Sequence, residues 1–141
     1  MRQILLFIFL VLLIFNSHSQ SSSLDSLRLV LPIGHTSVVN SAVFSSDNKR
    51  VVTASGDKTA RIWEIESDKE LHVLKGHTSF LISALFSADN KRVVTASSDS
   101  TARIWEVESG KELHVLKGHT SGVNSAVFSS DNKRVVTASW D

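Results

Sequence analysis

One phrase recurs along this chain and limits what it can fold into. Gly-His-Thr-Ser leads into a short apolar run, then Asp-Asn-Lys-Arg-Val-Val-Thr-Ala-Ser, then an Asp. Copies begin at Gly34, Gly76 and Gly118, so the step is 42 residues each time. The first two copies continue into Thr-Ala-Arg-Ile-Trp-Glu at 59–64 and 101–106, and the third runs to Asp141. Self-similarity at a fixed period of this size marks a repeat architecture, in which each unit leaves an apolar face that only a neighbouring unit covers.

Inside the unit the pattern is β. In the first copy, 38–44 is short and Val-rich, and 50–55 is β-branched. The stretch 59–64 alternates small or polar with apolar residues, and 71–74 is Leu-His-Val-Leu. Clusters of Ser, Asn, Asp, Gly and Lys separate them, which predicts four antiparallel strands joined by tight turns. The second copy repeats this at about 80–86, 92–97, 101–106 and 113–116. The third supplies two strands, at about 122–128 and 134–139. Arg28-Leu29-Val30-Leu31-Pro32 stands one period ahead of Leu71-His72-Val73-Leu74-Lys75 and reads as a further outer strand. Pro32 suits its end, because proline cannot donate to a ladder. No window after residue 20 has helical periodicity.

Gly-His, then about two dozen residues, then Ser-x-Asp-x-Thr-x-x-x-Trp and a final acid, resembles the WD-repeat (WD40) β-propeller family. The resemblance covers 28–141, with units at about 34–75, 76–117 and 118–141. It departs from the family pattern in ending on Trp63-Glu64 and Trp105-Glu106 instead of Trp-Asp. A Ser-Ser-Asp-Asn turn also replaces the commoner Ser-Pro-Asp-Gly. The resemblance implies an all-β fold: a partial propeller of two complete four-stranded antiparallel blades and an incomplete third, as an open arc. It also implies a buried structural tetrad in each blade. The first is His35, Thr53 (or Ser55, on the same strand face), Asp57 and Trp63. The second is His77, Thr95, Asp99 and Trp105. The third has His119, Thr137 and Asp141 without a Trp, and is expected to be the weakest. Buried imidazole, hydroxyl, carboxylate and indole groups must all be satisfied, and a linked network satisfies them together.

The same residue types invite a catalytic-triad reading, but they recur with the fold period, which favours a structural role. The histidines fall in separate units, with no His/Asp/Glu cluster at metal-ligand spacing, and there is no glycine-rich phosphate loop. No metal and no cofactor are expected. Asn-Lys-Arg recurs at 48–50, 90–92 and 132–134 and reads as solvated turn residues; a ring of basic turns binding an anion is the sharper alternative. Against it, Lys+Arg is 15 and Asp+Glu 14. This balance shows no footprint for nucleic acid.

Function is better sought where the copies differ. From Gly118 to Asp141 the third copy departs from the first at two positions only: Val38 against Gly122, and Gly56 against Trp140. The first and second differ at Val38/Phe80, Val39/Leu81, Asn40/Ile82, Gly56/Ser98 and Lys58/Ser100, among others. In WD-repeat propellers such positions tend to face the top surface and the central channel. The candidate contact set is therefore Val38, Asn40, Gly56, Phe80, Ile82, Ser98, Gly122, Asn124 and Trp140. Phe80 and Trp140 are its aromatic anchors, a type enriched at interface hot spots. Drift at exposed loop positions is the competing explanation.

The N-terminus has a different character. Arg2 precedes an unbroken apolar run at 4–15, and Ser17 and Ser19 follow. This is the pattern of a secretory signal peptide, expected over 1–19. In a helix the run spans about 18 Å, against the roughly 30 Å of a bilayer core, so an uncleaved anchor is the lesser reading. Residues 20–27 read as a polar leader. The chain has no cysteine, so neither a disulfide nor a lipoprotein anchor is available. Export is expected, to a secreted, periplasmic or cell-surface address, with membrane contact only if the anchor stays.

These readings describe a non-enzymatic protein- or peptide-binding scaffold. A hydrolase- or lactonase-like propeller is the alternative class, and a self-assembling structural module is a third. Closed propellers use four to eight blades, so this sequence is expected to be a fragment of a longer protein. Self-association to complete the propeller and a degenerate, unstable product are the alternatives.

Overall fold

The computed structural model describes residues 34–141. The segments read as signal peptide, leader and outer strand at 28–31 lie outside them. Ten strands follow in order. The first sheet is β1 (Val39–Phe44), β2 (Arg50–Ser55), β3 (Thr59–Glu64) and β4 (Lys69–Lys75), paired in sequence order. The second repeats it with β5 (Leu81–Phe86), β6 (Arg92–Ser97), β7 (Ala102–Glu106) and β8 (Glu112–Leu116). The third holds β9 (Val123–Phe128) and β10 (Val135–Ser139). All pairings are antiparallel. The described residues form no helix, and the array of sheets is not closed.

Local chemistry sets the hairpins. In the β1–β2 turn, Asn48 N–H donates to Ser45 O at 2.9 Å, and Asn48 has φ +57°. Asn90 and Asn132 repeat that conformation, which asparagine tolerates better than most residues. Ser45 Oγ accepts from Arg50 N at 2.9 Å and donates to Asp47 Oδ1 at 2.6 Å, closing the turn from within. β4 begins at Lys69, two residues before the run expected from its apolar residues. Lys69 and Glu70 look like turn residues, but they pair opposite Glu64 and Trp63. β1, β5 and β9 share a register shift at their first residues. Such a bulge re-aims the side chains beyond it.

The core lies between sheets. Val52, Ala54, Ala60, Ile62 and Leu74 of the first sheet pack with Leu81, Ala84, Val93, Trp105 and Val107 of the second unit. Val94, Ala96, Ala102 and Ile104 then pack with Val123 and Ala126 of the third sheet. Each sheet thus depends on its neighbour, as the repeat period requires. Polar bonds set the spacing. Asn90 Oδ1 accepts from Ser46 N at 3.0 Å, and its Nδ2 donates to Ser46 Oγ at 2.8 Å. One period on, Asn132 Oδ1 accepts from Ala88 N at 2.9 Å, and Arg92 Nη2 donates to Asn132 O at 2.7 Å. Asn48, Lys49, Lys91 and Lys133 are exposed turn residues as expected, but Asn90 and Asn132 are not simply solvated: each ties its turn to the one before it.

Candidate functional site

Each unit gathers its His, Thr and Asp at one end of its sheet. His35 follows the glycine that precedes β1, Thr53 lies on β2, and Asp57 lies in the β2–β3 turn. His35 Nδ1 is 2.8 Å from Asp57 Oδ2, and His35 Nε2 is 2.7 Å from Thr53 Oγ1. Trp63 Nε1–H donates to the same Oγ1 at 2.9 Å. The second unit reproduces this: His77 to Asp99 at 2.7 Å, His77 to Thr95 at 2.8 Å, and Trp105 to Thr95 at 2.9 Å. One proton arrangement satisfies every group. The indole donates to the hydroxyl, the hydroxyl donates to imidazole Nε2, and Nδ1–H donates to the carboxylate.

Burial pushes the His77 imidazole below its ordinary pKa, against the pull of Asp99. Burial raises Asp99, but bonds from Thr101, the Thr78 N–H and His77 outweigh it and bring its pKa down to about 2. Asp57 is held well below the carboxylate range in the same way, desolvation being overcome by Thr59, His35 and the Thr36 N–H. The geometry imitates a hydrolase triad, with Asp on one ring nitrogen and a hydroxyl on the other. Burial separates the two. Thr53 and Thr95 are fully buried and already hold an indole donor, so these hydroxyls have no face for a substrate.

In the third unit His119 contacts Asp141 at 2.9 Å and Thr137 at 2.8 Å. The Thr120 N–H first, then His119, hold Asp141 below the carboxylate range. Here His119 and Asp141 are partly exposed. No indole reaches Thr137 among the described residues.

The structure separates the two hydroxyls left open by sequence. Thr53 bridges His35 and Trp63, whereas Ser55 Oγ donates to Ser37 O at 3.2 Å and accepts from Asp57 N at 3.1 Å. It also adds groups that sequence reasoning missed. Thr59 Oγ1 donates to Asp57 Oδ1, and Thr101 to Asp99, each at 2.6 Å. Arg61 pairs with Glu70, and Arg103 with Glu112. Their guanidiniums lie against the leading glycine in the first two copies. A Cβ on Gly34 would lie 2.6 Å from Arg61 Nη1, and one on Gly76 2.6 Å from Arg103 Nη1. The signal was present in the repeated Thr-Ala-Arg-Ile-Trp, whose Thr and Arg an alternation reading assigns to solvent.

Six of the nine candidate positions stand in three pairs at the same end of the sheets as the tetrads. Gly56 N–H donates to Val38 O at 2.8 Å, and Ser98 N–H to Phe80 O at 3.1 Å. Trp140 and Gly122 stand in the corresponding places of the third sheet, next to the Ser139–Val123 pair. Val38 is 71% exposed, Phe80 48% and Trp140 76%. Gly56, Ile82, Ser98, Gly122 and Asn124 are half-buried. Asn40 is exposed, yet its Nδ2 donates to Leu81 O of the next sheet at 2.7 Å.

Repeated antiparallel sheets that bury their cores against one another, each tied by a His–Thr–Asp network, define a β-propeller type of repeat protein. The family model described as WD domain, G-beta repeat matches residues 25–64, 68–106 and 110–141, so the chain belongs to the WD40 repeat family. No curated protein matches it.

Proposed function

We propose that this chain is a non-enzymatic scaffold that binds an extended peptide or a protein loop across the exposed rim around Phe80. Repeats of this family serve in general as protein-interaction scaffolds, which supports the class. The observation that carries the site is the exposed ring of Phe80, at a position where the otherwise similar copies diverge. An aromatic ring held at a strand end is a low-entropy anchor for a partner. Ser98, whose N–H donates to Phe80 O, and Asn40, whose Nδ2 donates to Leu81 O, lie beside it, and Gly56, Ile82, Gly122 and Asn124 complete the candidate set. In this reading the apolar run at 4–15 directs export, and the scaffold works outside the cytoplasm.

The test uses a displayed library of random peptides panned on the immobilised chain. Peptides enriched on the wild type should lose at least tenfold in recovery on Phe80→Ala, whose thermal unfolding should match the wild type. Enrichment that survives Phe80→Ala unchanged removes the rim as the binding site.

A further inference from the structure

Phe80 stands on a sheet with a neighbour on each side. β5 packs against β1 and β2, and β5 and β6 pack against β9. The exposure of its ring therefore belongs to the end of the sheet and not to an uncovered face. What lies beside the ring at that end is set by the preceding sheet. Leu81, the next residue, accepts from Asn40 Nδ2 of β1 at 2.7 Å. Val39 pairs with Ser55 of β2, and Ser55 O accepts from Lys58 N at 3.3 Å. Lys58 precedes Thr59, which pairs with Lys75 at the end of β4. The aromatic anchor of the second sheet thus has two lysines of the first sheet at the same end, across one junction.

The charge offered to a partner at this end has one sign. Asp57 and Asp99 are turned inward, each bound to a His and a Thr, with side chains almost fully buried. Glu70 and Glu112 are taken up by Arg61 and Arg103. Lys58, Lys75 and Lys117 are exposed. Among the described residues none of these lysines has a carboxylate within ion-pair distance. The turns at the opposite end carry both signs, as in Asp47 with Lys49 and Asp89 with Lys91. Lys58 is also unusual as a turn residue. Its position takes a left-handed backbone, φ +70° at Lys58 and +64° at Ser100. Asparagine adopts that conformation more readily, and the chain uses it so at 48, 90 and 132. Backbone preference gives no reason for lysine here, and a side chain held on such a backbone is a candidate for function. The copies divide the two chemistries: Lys58 stands against Ser100, and Val38 against Phe80. Only the junction of the two sheets brings the cation and the aromatic ring together.

We propose that the partner segment at the Phe80 rim is an acidic–apolar peptide. It crosses the junction in extended form, with an apolar side chain on Phe80 and an Asp or Glu carboxylate on Lys58, and Lys75 adds its charge behind. This rests on the rim reading above and adds the partner's chemistry to it. Spacing follows from the sheets. Packed sheets stand about 10 Å apart and an extended chain advances about 3.3 Å per residue, so the acid falls about three residues from the apolar one. A carboxylate suits the site better than a phosphate. Phosphate recognition favours the planar fork of arginine, and the arginines here, Arg61 and Arg103, are each committed to a glutamate. The lysines offer exposed point charges.

The displayed random-peptide library tests this when the enriched sequences are read as well as counted. On the immobilised full chain, enriched peptides should carry Asp or Glu about three residues from an aromatic or aliphatic residue. Lys58→Ser gives the first turn the residue type that the second carries at the same backbone angle, so its thermal unfolding should match the wild type. It should lower recovery of those peptides about two- to fivefold, the range of an exposed ion pair. Lys58→Glu should lower recovery further and abolish the acid excess in a fresh selection. Lys91→Glu, at the opposite end of the sheets, should change neither. Peptides that need Phe80 but show no acid excess, or that are recovered equally on Lys58→Glu, overturn the acidic partner and leave the rim standing. Enrichment indifferent to Phe80→Ala removes the rim and this proposal with it. Acids enriched without an apolar residue at that spacing mark a general attraction of anions and overturn the pairing.

Discussion

At the scale of single residues, the decisive groups are buried ones with several partners. Asp99 accepts from His77 Nδ1 at 2.7 Å, Thr78 N at 3.0 Å, and Thr101 N and Oγ1 at 3.0 and 2.6 Å. Asp99→Ala removes all four bonds and strands the buried imidazole. It should cost about 2–4 kcal/mol, since an unsatisfied buried group costs more than the net worth of its bond. A urea midpoint unchanged from the wild type would show that the network holds nothing together. Protonation probes the same groups. The pKa of Asp99 falls from 3.8 to about 2 on folding, and that of His77 falls below 6.5. A group depressed on folding binds its proton more tightly in the unfolded chain, so both contributions are complete at high pH and are lost as pH falls. Stability should therefore decline from about pH 6.5 downward through His77, and more steeply below about pH 4 through Asp99. Urea titrations at pH 8, 5 and 3 measure this, and His77→Gln should flatten the upper part of the profile.

At the scale of strands, one hexapeptide occurs in three settings. Arg-Val-Val-Thr-Ala-Ser is the sequence at 50–55, 92–97 and 134–139. The first two copies form β2 and β6, whose last five residues are all buried. In the third, β10 has none buried. Val94 has the full benefit of burial, about 1.5–3 kcal/mol for a valine side chain, and Val136 forgoes most of it. Hydrogen exchange should rank these identical segments by surroundings, with β6 amides slowest and β10 fastest by at least tenfold at concentrations where the chain is monomeric. Equal protection in β6 and β10 would mean that the inter-sheet core contributes little. Such gradients follow from local opening in the less covered parts of a structure.

At the scale of the molecule, stability is a sum over units and the contacts between them. The buried clusters each join two sheets, so no sheet contains a core of its own. Much of this was legible beforehand. The strands, their turns and the His, Thr, Asp and Trp positions follow from a period that sequence displays directly. The role of Thr101 and Arg103 was not legible, because alternation assigns a side chain to a face without saying what waits there. Thr101 finds a carboxylate within its own turn, and Arg103 finds Glu112 on the next strand. The asparagines of the turns were misjudged for a similar reason, since their partners belong to a sheet 42 residues away.

The sequence by itself determined the unit: four strands per period, turns that asparagine and serine close locally, and a tetrad of fixed spacing. These are short-range matters, decided by backbone preference and hydrogen bonds within a few residues or one hairpin. Only the tertiary structure decided what each copy of the phrase is worth. The same Val-Val-Thr-Ala-Ser is core in β6 and surface in β10, because burial is a property of neighbours, and a repeat carries no record of which neighbours it has.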